Sequence, residues 1–241
     1  MLVKKPQFRP MNFKKNIKRW FSNPDELRRE DIFNKFREYT MIPKGDYIAN
    51  LVLAEGMSSI SGCIVECGVW KGGMIAGIAS ILGPHRKYYL FDSFEGLPPA
   101  KDIDGPGASE WQSNTNSPQY YDNCTASQET AYGVMKLADV SNFELVAGWF
   151  NETLPTCVLD EPIALLRLDG DWYDSTMDCL ENLFDKVNPG GIILIDDYHM
   201  WDGCSRAVHD FLSRRSAAER IDCYNGVCFI RKKKVPQNST N

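Results

Sequence analysis

Short apolar segments alternate with stretches of helical periodicity from about residue 60 onward. The apolar segments predict strands over residues 60–68, 88–92, 143–147, 163–169 and 191–196. The periodic stretches predict helices over residues 73–82, 128–137, 175–187 and 205–214. Because the predicted strands are apolar on both faces, the pattern indicates a mostly parallel sheet covered by helices on both sides.

Two further predicted strands, over residues 221–224 and 227–231, flank Asn225-Gly226, a strong signal for a two-residue hairpin turn. An antiparallel hairpin at the end of a parallel sheet favours a seven-stranded sheet over the six-stranded sheets of dinucleotide-binding proteins. The expected fold is therefore α/β and Rossmann-like, with a seven-stranded, mostly parallel sheet, helices on both faces and an antiparallel C-terminal hairpin.

Two segments depart from this rhythm. Residues 98–127 are polar and rich in Gly, Pro, Ser and Asn, so the sequence predicts a long loop there, either functional or disordered. Residues 1–40 have amphipathic helical character, and Pro24-Asp25-Glu26 is typical of a helix start. We therefore expect a helical, basic N-terminal arm over residues 1–41, one α/β domain over 42–231 and a tail over 232–241.

Charge is unevenly distributed along the chain. The 27 basic and 32 acidic residues give a net charge of −5, which argues against a general nucleic-acid binder. Seven of the first 19 residues are nevertheless Lys or Arg, and no acid precedes Asp25. This basic segment, with Phe13, Trp20 and Phe21, is interpreted either as a solvated terminus or as an arm that covers an active site or contacts a second copy in a homodimer.

The sequence predicts no membrane partner, because no window of about 18 apolar residues occurs. No signal peptide is evident either, so a cytoplasmic protein with reduced cysteines is expected. Cys223 and Cys228 flank the hairpin turn, where a disulfide is possible but not required.

The first predicted strand runs into a glycine-rich turn with Glu66, Gly68, Gly72 and Gly73. Glycines after a first strand let the backbone approach a ligand closely. Glu66 would repel a pyrophosphate but suits a cationic sulfonium, so the turn favours S-adenosylmethionine over NAD. Asp92, at the end of the second predicted strand, is typical of an acid that accepts hydrogen bonds from ribose hydroxyls. The plain alternatives are a tight turn without a ligand and an aspartate that caps a helix.

Acidic side chains follow two later strands. Asp169 ends one strand, and Asp196 and Asp197 end the next. Neighbouring strands lie about 4.8 Å apart, so the three carboxylates would meet at one edge of the sheet. They cannot all stay ionised unless some protonate, a basic side chain pairs with them or a cation binds. Oxygen ligands select Mg²⁺, Mn²⁺ or Ca²⁺, and no Cys/His spacing suggests zinc. Alternatively, the acids cap the helices that follow.

A metal at this edge could bind a hydroxyl of a small-molecule substrate and lower its pKa. Asp171, two residues after Asp169, is then the preferred general base, and His199 is the alternative.

Five motifs together resemble the macrocin O-methyltransferase family, whose members methylate sugar hydroxyls on antibiotics and related natural products. The matching motifs are Glu66-x-Gly68-Val69-Trp70-x-Gly72-Gly73, Asp92-Ser93-Phe94-Glu95-Gly96-Leu97-Pro98, Gly148-Trp149-Phe150-x-x-Thr153-Leu154-Pro155, Leu166-Arg167-Leu168-Asp169-Gly170-Asp171 and Asp196-Asp197-Tyr198. The similarity covers roughly residues 42–230. Cys67 stands where Thr is common and Lys71 where Arg is common, and residues 1–40 and 101–125 depart further.

The resemblance implies a class I methyltransferase fold, S-adenosylmethionine as methyl donor and a glycoside substrate. It also implies Mg²⁺ held by Asp169, Asp196 and Asp197, with Asp171 as base. The cofactor residues it implies are Glu66, Gly68, Val69, Trp70, Asp92, Ser93, Ser127, Gly148, Trp149 and Asp169.

Three other functions remain open at this stage. A catechol-type O-methyltransferase would use a similar three-acid metal site. A nucleotide-binding oxidoreductase would need a turn that accommodates phosphate, against which Glu66 argues. A non-catalytic binding module is hard to reconcile with four aspartates at one edge.

Overall fold

The structure is a computed structural model that describes residues 23–233. The helices are α1 (Pro24–Phe36), α2 (Lys44–Glu55), α3 (Gly73–Leu82), α4 (Pro106–Ser113), α5 (Gln128–Leu137), α6 (Phe150–Thr153), α7 (Tyr173–Leu183) and α8 (Asp202–Arg214). The strands are β1 (Cys63–Cys67), β2 (Tyr88–Asp92), β3 (Phe143–Ala147), β4 (Ile163–Leu168), β5 (Val187–Ile195), β6 (Ile221–Tyr224) and β7 (Val227–Arg231).

All seven strands form one sheet in the order β3-β2-β1-β4-β5-β7-β6. The first five strands pair in parallel, whereas β7 pairs antiparallel with both β5 and β6. Strand order therefore reverses between β1 and β4, which is where open α/β sheets bind ligands. The expected seven-stranded fold is confirmed.

Two apolar layers enclose the sheet. One face of the central strands packs against α1, α2, α3 and α5. The other face packs against α7 and α8. Strands β1 and β4 are buried at every position, as the continuous apolar pattern predicts for a sheet covered on both sides.

Several predicted bounds differ from the observed ones at element ends. Helices α7 and α8 begin earlier than predicted, at Tyr173 and Asp202. Their N-cap residues are Trp172 and Trp201, which make no capping bond through their own side chains, so the usual capping signal is missing. The predicted end of α7 is a 3-10 turn, Phe184–Lys186, and β5 begins at Val187 rather than at residue 191.

The prediction of one continuous loop over residues 98–127 was wrong in its lack of regular structure, although several residues of the segment line the cavity described below. This segment contains α4 and two 3-10 turns, Asp102–Asp104 and Tyr121–Cys124. Its polar composition hides the reason for its order, which is hydrogen bonding within the segment and to the start of α7. Gln112 Nε2 donates to the carbonyl oxygen of Pro98, and the Trp172 indole donates to the same carbonyl.

Helix α1 starts where predicted, with the Asn23 side chain accepting from the Asp25 amide. Ile32 and Phe36 of α1 are buried in the same core as α3. The basic and aromatic residues that precede Asn23 lie outside the described residues, so their expected role as a lid or dimer contact stays a prediction.

Within residues 23–233, no helix is long and apolar enough to cross a membrane.

Candidate active site

Backbone hydrogen bonds join the carboxyl ends of β1, β4 and β5. The Asp169 amide donates to the Cys67 carbonyl at 2.8 Å, and the Asp196 amide donates to the Leu168 carbonyl at 2.9 Å. These bonds continue the parallel ladder one residue past each strand. They bring Gly68, Asp169 and Asp196 side by side at the point where strand order reverses.

Gly68 makes this close approach possible. Its φ is +87°, and a Cβ placed there would lie 1.6 Å from the carbonyl oxygen of Asp169. Both the backbone conformation and the lack of space require glycine. The glycine-rich turn therefore brings two strand ends together, in addition to any role toward a ligand.

Asp92 braces the turn after β1. Its Oδ2 accepts from the amides of Val69 and Trp70 at 2.7 and 2.8 Å, and its Oδ1 accepts from the Phe94 amide at 2.7 Å. Burial raises the pKa of Asp92, although these three bonds oppose the shift. About four lone-pair sites exist on a carboxylate, so about one acceptor site remains on Oδ1.

Nine of the ten residues expected to bind the cofactor line one cavity of about 1090 Å³. They are Glu66, Gly68, Val69, Trp70, Asp92, Ser93, Gly148, Trp149 and Asp169. Ser127 is not among the lining residues. It is the N-cap of α5, where its hydroxyl accepts from the Thr130 amide at 3.2 Å.

A buried arginine connects three acids at the strand ends. Arg167 Nη1 donates to Glu66 Oε1 at 2.9 Å and to Asp169 Oδ2 at 2.7 Å. Its Nη2 lies 2.5 Å from Asp196 Oδ1. The side chains of Arg167 and Glu66 are each only 1% exposed. Burial lowers the pKa of Arg167, but Asp196, Asp169 and Glu66 raise it, and the net shift is upward.

Asp171 and Asp197 complete the group. Carboxylate oxygens of Asp169, Asp171 and Asp197 lie within 4.8 Å of one another. The Asp171 amide donates to Asp197 Oδ2 at 3.0 Å, and the Trp201 indole donates to Asp171 Oδ1 at 2.8 Å. Asp171 and Asp197 therefore make hydrogen bonds with each other and with Trp201. The first amide of α7, that of Tyr173, donates to Asp104 Oδ1 instead, so the helix start is satisfied by a different acid.

Glu66, Asp169, Asp171 and Asp197 hold their protons more strongly than carboxyl groups usually do. Burial, followed by the charge of Asp169, raises the pKa of Asp171 to about 8. Burial raises the pKa of Asp169 to about 6 and that of Glu66 to about 8, although Arg167 lowers both. The pKa of Asp197 is also raised, by burial and then by Asp171. Ionising all of these acids beside a single guanidinium would need further positive charge, which a bound cation would supply.

Aromatic rings form one wall of the same cavity. Trp111, Trp172 and Trp201 meet edge to face, with ring centroids 5.1 to 6.3 Å apart. Trp111 comes from α4, within the segment for which a loop was predicted. The cavity thus has an acidic floor at the strand ends and an apolar wall.

His199 lies elsewhere. Its Nε2 is 3.1 Å from Cys228 Sγ, on the β6–β7 hairpin, and His199 is not among the residues that line the cavity. Asp171, the other candidate base, does line it.

Arg167 and Trp201 have no role among the sequence-based expectations. A signal for Arg167 exists in the strand register, because Glu66 and Arg167 are paired positions of β1 and β4. Charged residues facing each other in two fully buried strands indicate an ion pair. No comparable signal marks Trp201, which lies 30 residues from Asp171.

Comparison with known proteins identifies the family. The model of the macrocin-O-methyltransferase (TylF) family matches residues 11–232. The chain belongs to this family. A demethyldecarbamoylnovobiocin O-methyltransferase from Streptomyces niveus is 31% identical over 83% of this chain and 80% of its own length. An 8-demethyl-8-(2,3-dimethoxy-alpha-L-rhamnosyl)-tetracenomycin-C 4'-O-methyltransferase from Streptomyces olivaceus is 34% identical over 75% of this chain and 68% of its own.

A solved structure of the O-methyltransferase NovP has a TM-score of 0.68 to this macrocin O-methyltransferase family member. The two sequences are 28% identical, and the match covers 81% of this chain and 83% of the NovP chain. The expected enzyme class, an S-adenosylmethionine-dependent O-methyltransferase, is confirmed by this family membership. Neither the catechol-type enzyme nor the oxidoreductase is favoured by the comparisons.

Proposed function

We propose that the chain transfers the methyl group of S-adenosylmethionine to a hydroxyl of a sugar or sugar-bearing small molecule, assisted by Mg²⁺. The observation that carries the proposal is the gathering of acids where the strand order reverses: Glu66, Asp169 and Asp196 contact Arg167, and Asp171 and Asp197 lie close to Asp169. The negative charge left over suits a divalent cation and a sulfonium bound side by side.

The turn after β1 has the features of a seat for the methyl donor. Glu66 lines the cavity, and its buried Oε2 has no hydrogen-bond partner among the described residues. An unpaired buried acceptor is costly, so a cationic or hydrogen-bonding ligand would stabilise it. The remaining acceptor site on Asp92 Oδ1 suits a ribose hydroxyl. Ser93, Gly148 and Trp149 line the cavity beside these two acids.

Asp169, Asp196 and Asp197 have the donor set for Mg²⁺; Mn²⁺ and Ca²⁺ share this preference for oxygen. On each of the three, one oxygen is already oriented by the protein. Arg167 donates a hydrogen bond to Asp169 Oδ2 and contacts Asp196 Oδ1. The Asp171 amide donates a hydrogen bond to Asp197 Oδ2. The second oxygen of each would face the ion, as in metal sites whose ligands are held by outer hydrogen bonds. When bound, Mg²⁺ supplies positive charge that lowers the pKa of a substrate hydroxyl.

Asp171 is the proposed general base. The Trp201 indole fixes its Oδ1, which leaves the second oxygen to accept the hydroxyl proton. The pKa of this group lies close to neutral pH, the range in which a general base is effective. The substrate oxygen then forms its bond to the methyl carbon as the carbon–sulfur bond breaks, and the proton stays on Asp171.

The aromatic wall fits a glycoside. The rings of Trp111 and Trp201 offer apolar surface to a sugar face or to the group that carries the sugar, and the buried ring of Trp172 packs against both. The relative from Streptomyces olivaceus is named for a substrate with a rhamnosyl group, which agrees with this assignment.

A methyl-transfer assay tests the proposal. Purified protein is incubated with S-adenosylmethionine and a panel of deoxysugar glycosides, with catechol as a second class of diol. We expect glycoside methylation that EDTA abolishes and added Mg²⁺ restores. Activity that is indifferent to EDTA would contradict the role of the metal. Faster methylation of catechol than of every glycoside would contradict the substrate class.

A further inference from the structure

A second group of metal-ligating side chains lies outside the cavity. His199 ends the 3-10 turn Asp197–His199, and Cys223 and Cys228 belong to the β6–β7 hairpin. His199 Nε2 lies 3.1 Å from Cys228 Sγ and 3.7 Å from Cys223 Sγ. The nitrogen and both sulfurs lie within 4.8 Å of one another.

The fold brings these residues together although their spacing in sequence suggests no metal site. Cys223 and Cys228 are directly paired positions of the hairpin, so their side chains lie on the same face. Cys228 is also paired with Ile195 at the end of β5. His199 follows four residues later, and the turn folds it back onto the sulfurs.

The distances fit a tetrahedral ion. With Zn–S of about 2.3 Å and Zn–N of about 2.0 Å, a tetrahedral angle separates nitrogen and sulfur by about 3.5 Å. The two observed nitrogen–sulfur distances lie on either side of this value. Two thiolates and one imidazole are soft ligands that select Zn²⁺, unlike the oxygen ligands at the acidic edge.

We propose that His199, Cys223 and Cys228 bind a Zn²⁺ ion. Two thiolates balance its charge. The exposed positions of His199 and Cys223 leave the fourth coordination position to solvent. The ion would fasten the turn that begins at Asp197 to the C-terminal hairpin. This proposal does not depend on the proposed methyl transfer.

Titration with Co²⁺, which absorbs light when thiolates bind it, tests the site. Fully reduced protein is titrated in the presence of excess Mg²⁺, which occupies oxygen sites, and Zn²⁺ is then added to displace Co²⁺. We expect one Co²⁺ per chain, with thiolate-to-metal charge-transfer absorption that Zn²⁺ removes.

Two variants and one control locate the ion. Cys223→Ser and His199→Gln change exposed side chains. Because loss of an outer-shell partner already weakens metal sites about 10–100-fold, loss of a ligand should weaken Co²⁺ binding about 100-fold or more. Cys157→Ser removes a free, partly buried cysteine outside the group and should bind Co²⁺ like the original protein. Near-ultraviolet circular dichroism verifies that each variant is folded.

Three results would overturn the proposal. The reduced protein could lack charge-transfer absorption, the absorption could persist in Cys223→Ser, or it could disappear equally in Cys157→Ser. If reduced protein binds no ion while mild oxidation yields a Cys223–Cys228 disulfide, the two cysteines are a redox pair instead.

Discussion

Asp171 is held in an unusual backbone conformation by its neighbours. Its φ is +57°, which few residues other than glycine adopt, although aspartate tolerates it better than most. The Asp197 carboxylate fixes its amide, and the Trp201 indole fixes one carboxylate oxygen. The rest of the fold therefore determines where this carboxylate points, as a general base requires.

Replacing Asp171 separates the role of base from the role of metal ligand. Asp171→Asn keeps the shape but cannot take a proton, so we expect kcat to fall about 10²–10⁴-fold. The Mg²⁺ concentration for half-maximal activity should change little, since Asp169, Asp196 and Asp197 remain. Steady-state kinetics across a Mg²⁺ titration measures both. Asp185→Asn, at an exposed pair with Arg215, is the control. A large loss of Mg²⁺ affinity would make Asp171 a ligand.

The Trp201 indole is expected to position Asp171. Trp201→Phe keeps an aromatic ring but removes the N–H, and loss of a hydrogen bond to a charged group should lower kcat about tenfold or more. KM should change less, because the ring surface remains. Trp111→Phe is a matched control, since that indole bonds the Gln119 carbonyl and no carboxylate. If Trp201→Phe and Trp111→Phe change kcat and KM equally, Trp201 only lines the cavity and does not position Asp171.

Some residues of the candidate site could be predicted from the sequence and others could not. The four aspartates follow strand ends, so parallel pairing predicts that they meet at one edge. In the structure Asp169, Asp171 and Asp197 lie together, and Asp196 joins Asp169 through Arg167. Arg167 lies inside an apolar strand, and its three acidic partners become visible only with the register. Trp201 reaches Asp171 through the path of the chain after β5, which no local pattern describes.

At the scale of elements, the sheet was the most predictable part. Strands β2, β3, β6 and β7 have the predicted bounds, because turn residues or charged residues interrupt the apolar pattern at both ends. Helix α4 could not be predicted, since it is held by side-chain contacts, both with nearby residues and with distant rings, that leave no periodic apolar pattern. Ala108 is its buried residue, and Trp111 packs on rings from two other segments.

The close contact of β1 with β4 gives a prediction about glycine. Gly68 and Gly83 have similar φ values of +87° and +92°, but space is open around Gly83. Gly83→Ala should therefore lower the free energy of unfolding by only about 1–3 kcal/mol, from backbone strain. Gly68→Ala should lower it by about 4 kcal/mol or more, because its Cβ would overlap the Asp169 carbonyl.

Urea unfolding of both variants measures this difference. Similar losses in Gly68→Ala and Gly83→Ala would show that β4 moves aside at little cost. Methyl transfer should fail in Gly68→Ala even where the variant is folded, because Asp169 would be displaced.

For the whole molecule, the concentration of acids at one edge links stability to pH. The pKa values of Asp171, Asp169 and Glu66 are raised in the folded state, to about 8, 6 and 8. Between about pH 4 and pH 8 the folded chain thus holds protons that the unfolded chain has released. These groups make the metal-free protein less stable as pH rises through that range.

Bound Mg²⁺ should oppose this loss, because it favours the ionised carboxylates. We expect the increase in Tm caused by Mg²⁺ to be small near pH 5 and larger near pH 8. Thermal unfolding with EDTA and with Mg²⁺, in steps of pH, measures it. An increase that does not depend on pH would mean that the ion binds away from these acids.

The acids and the tryptophan of the α4 segment come from separate stretches of chain. The acids sit on strand ends, whereas Trp111 comes from α4, within a segment joined to α7 by bonds from Trp172 to Pro98 and from Tyr173 to Asp104. The other end of this segment is fixed by the Trp70 indole, which donates to the Thr125 carbonyl at 3.2 Å. A lineage that exchanged the stretch between these anchors would change the cavity wall at Trp111, and with it the acceptors that fit, while the acids stay in place.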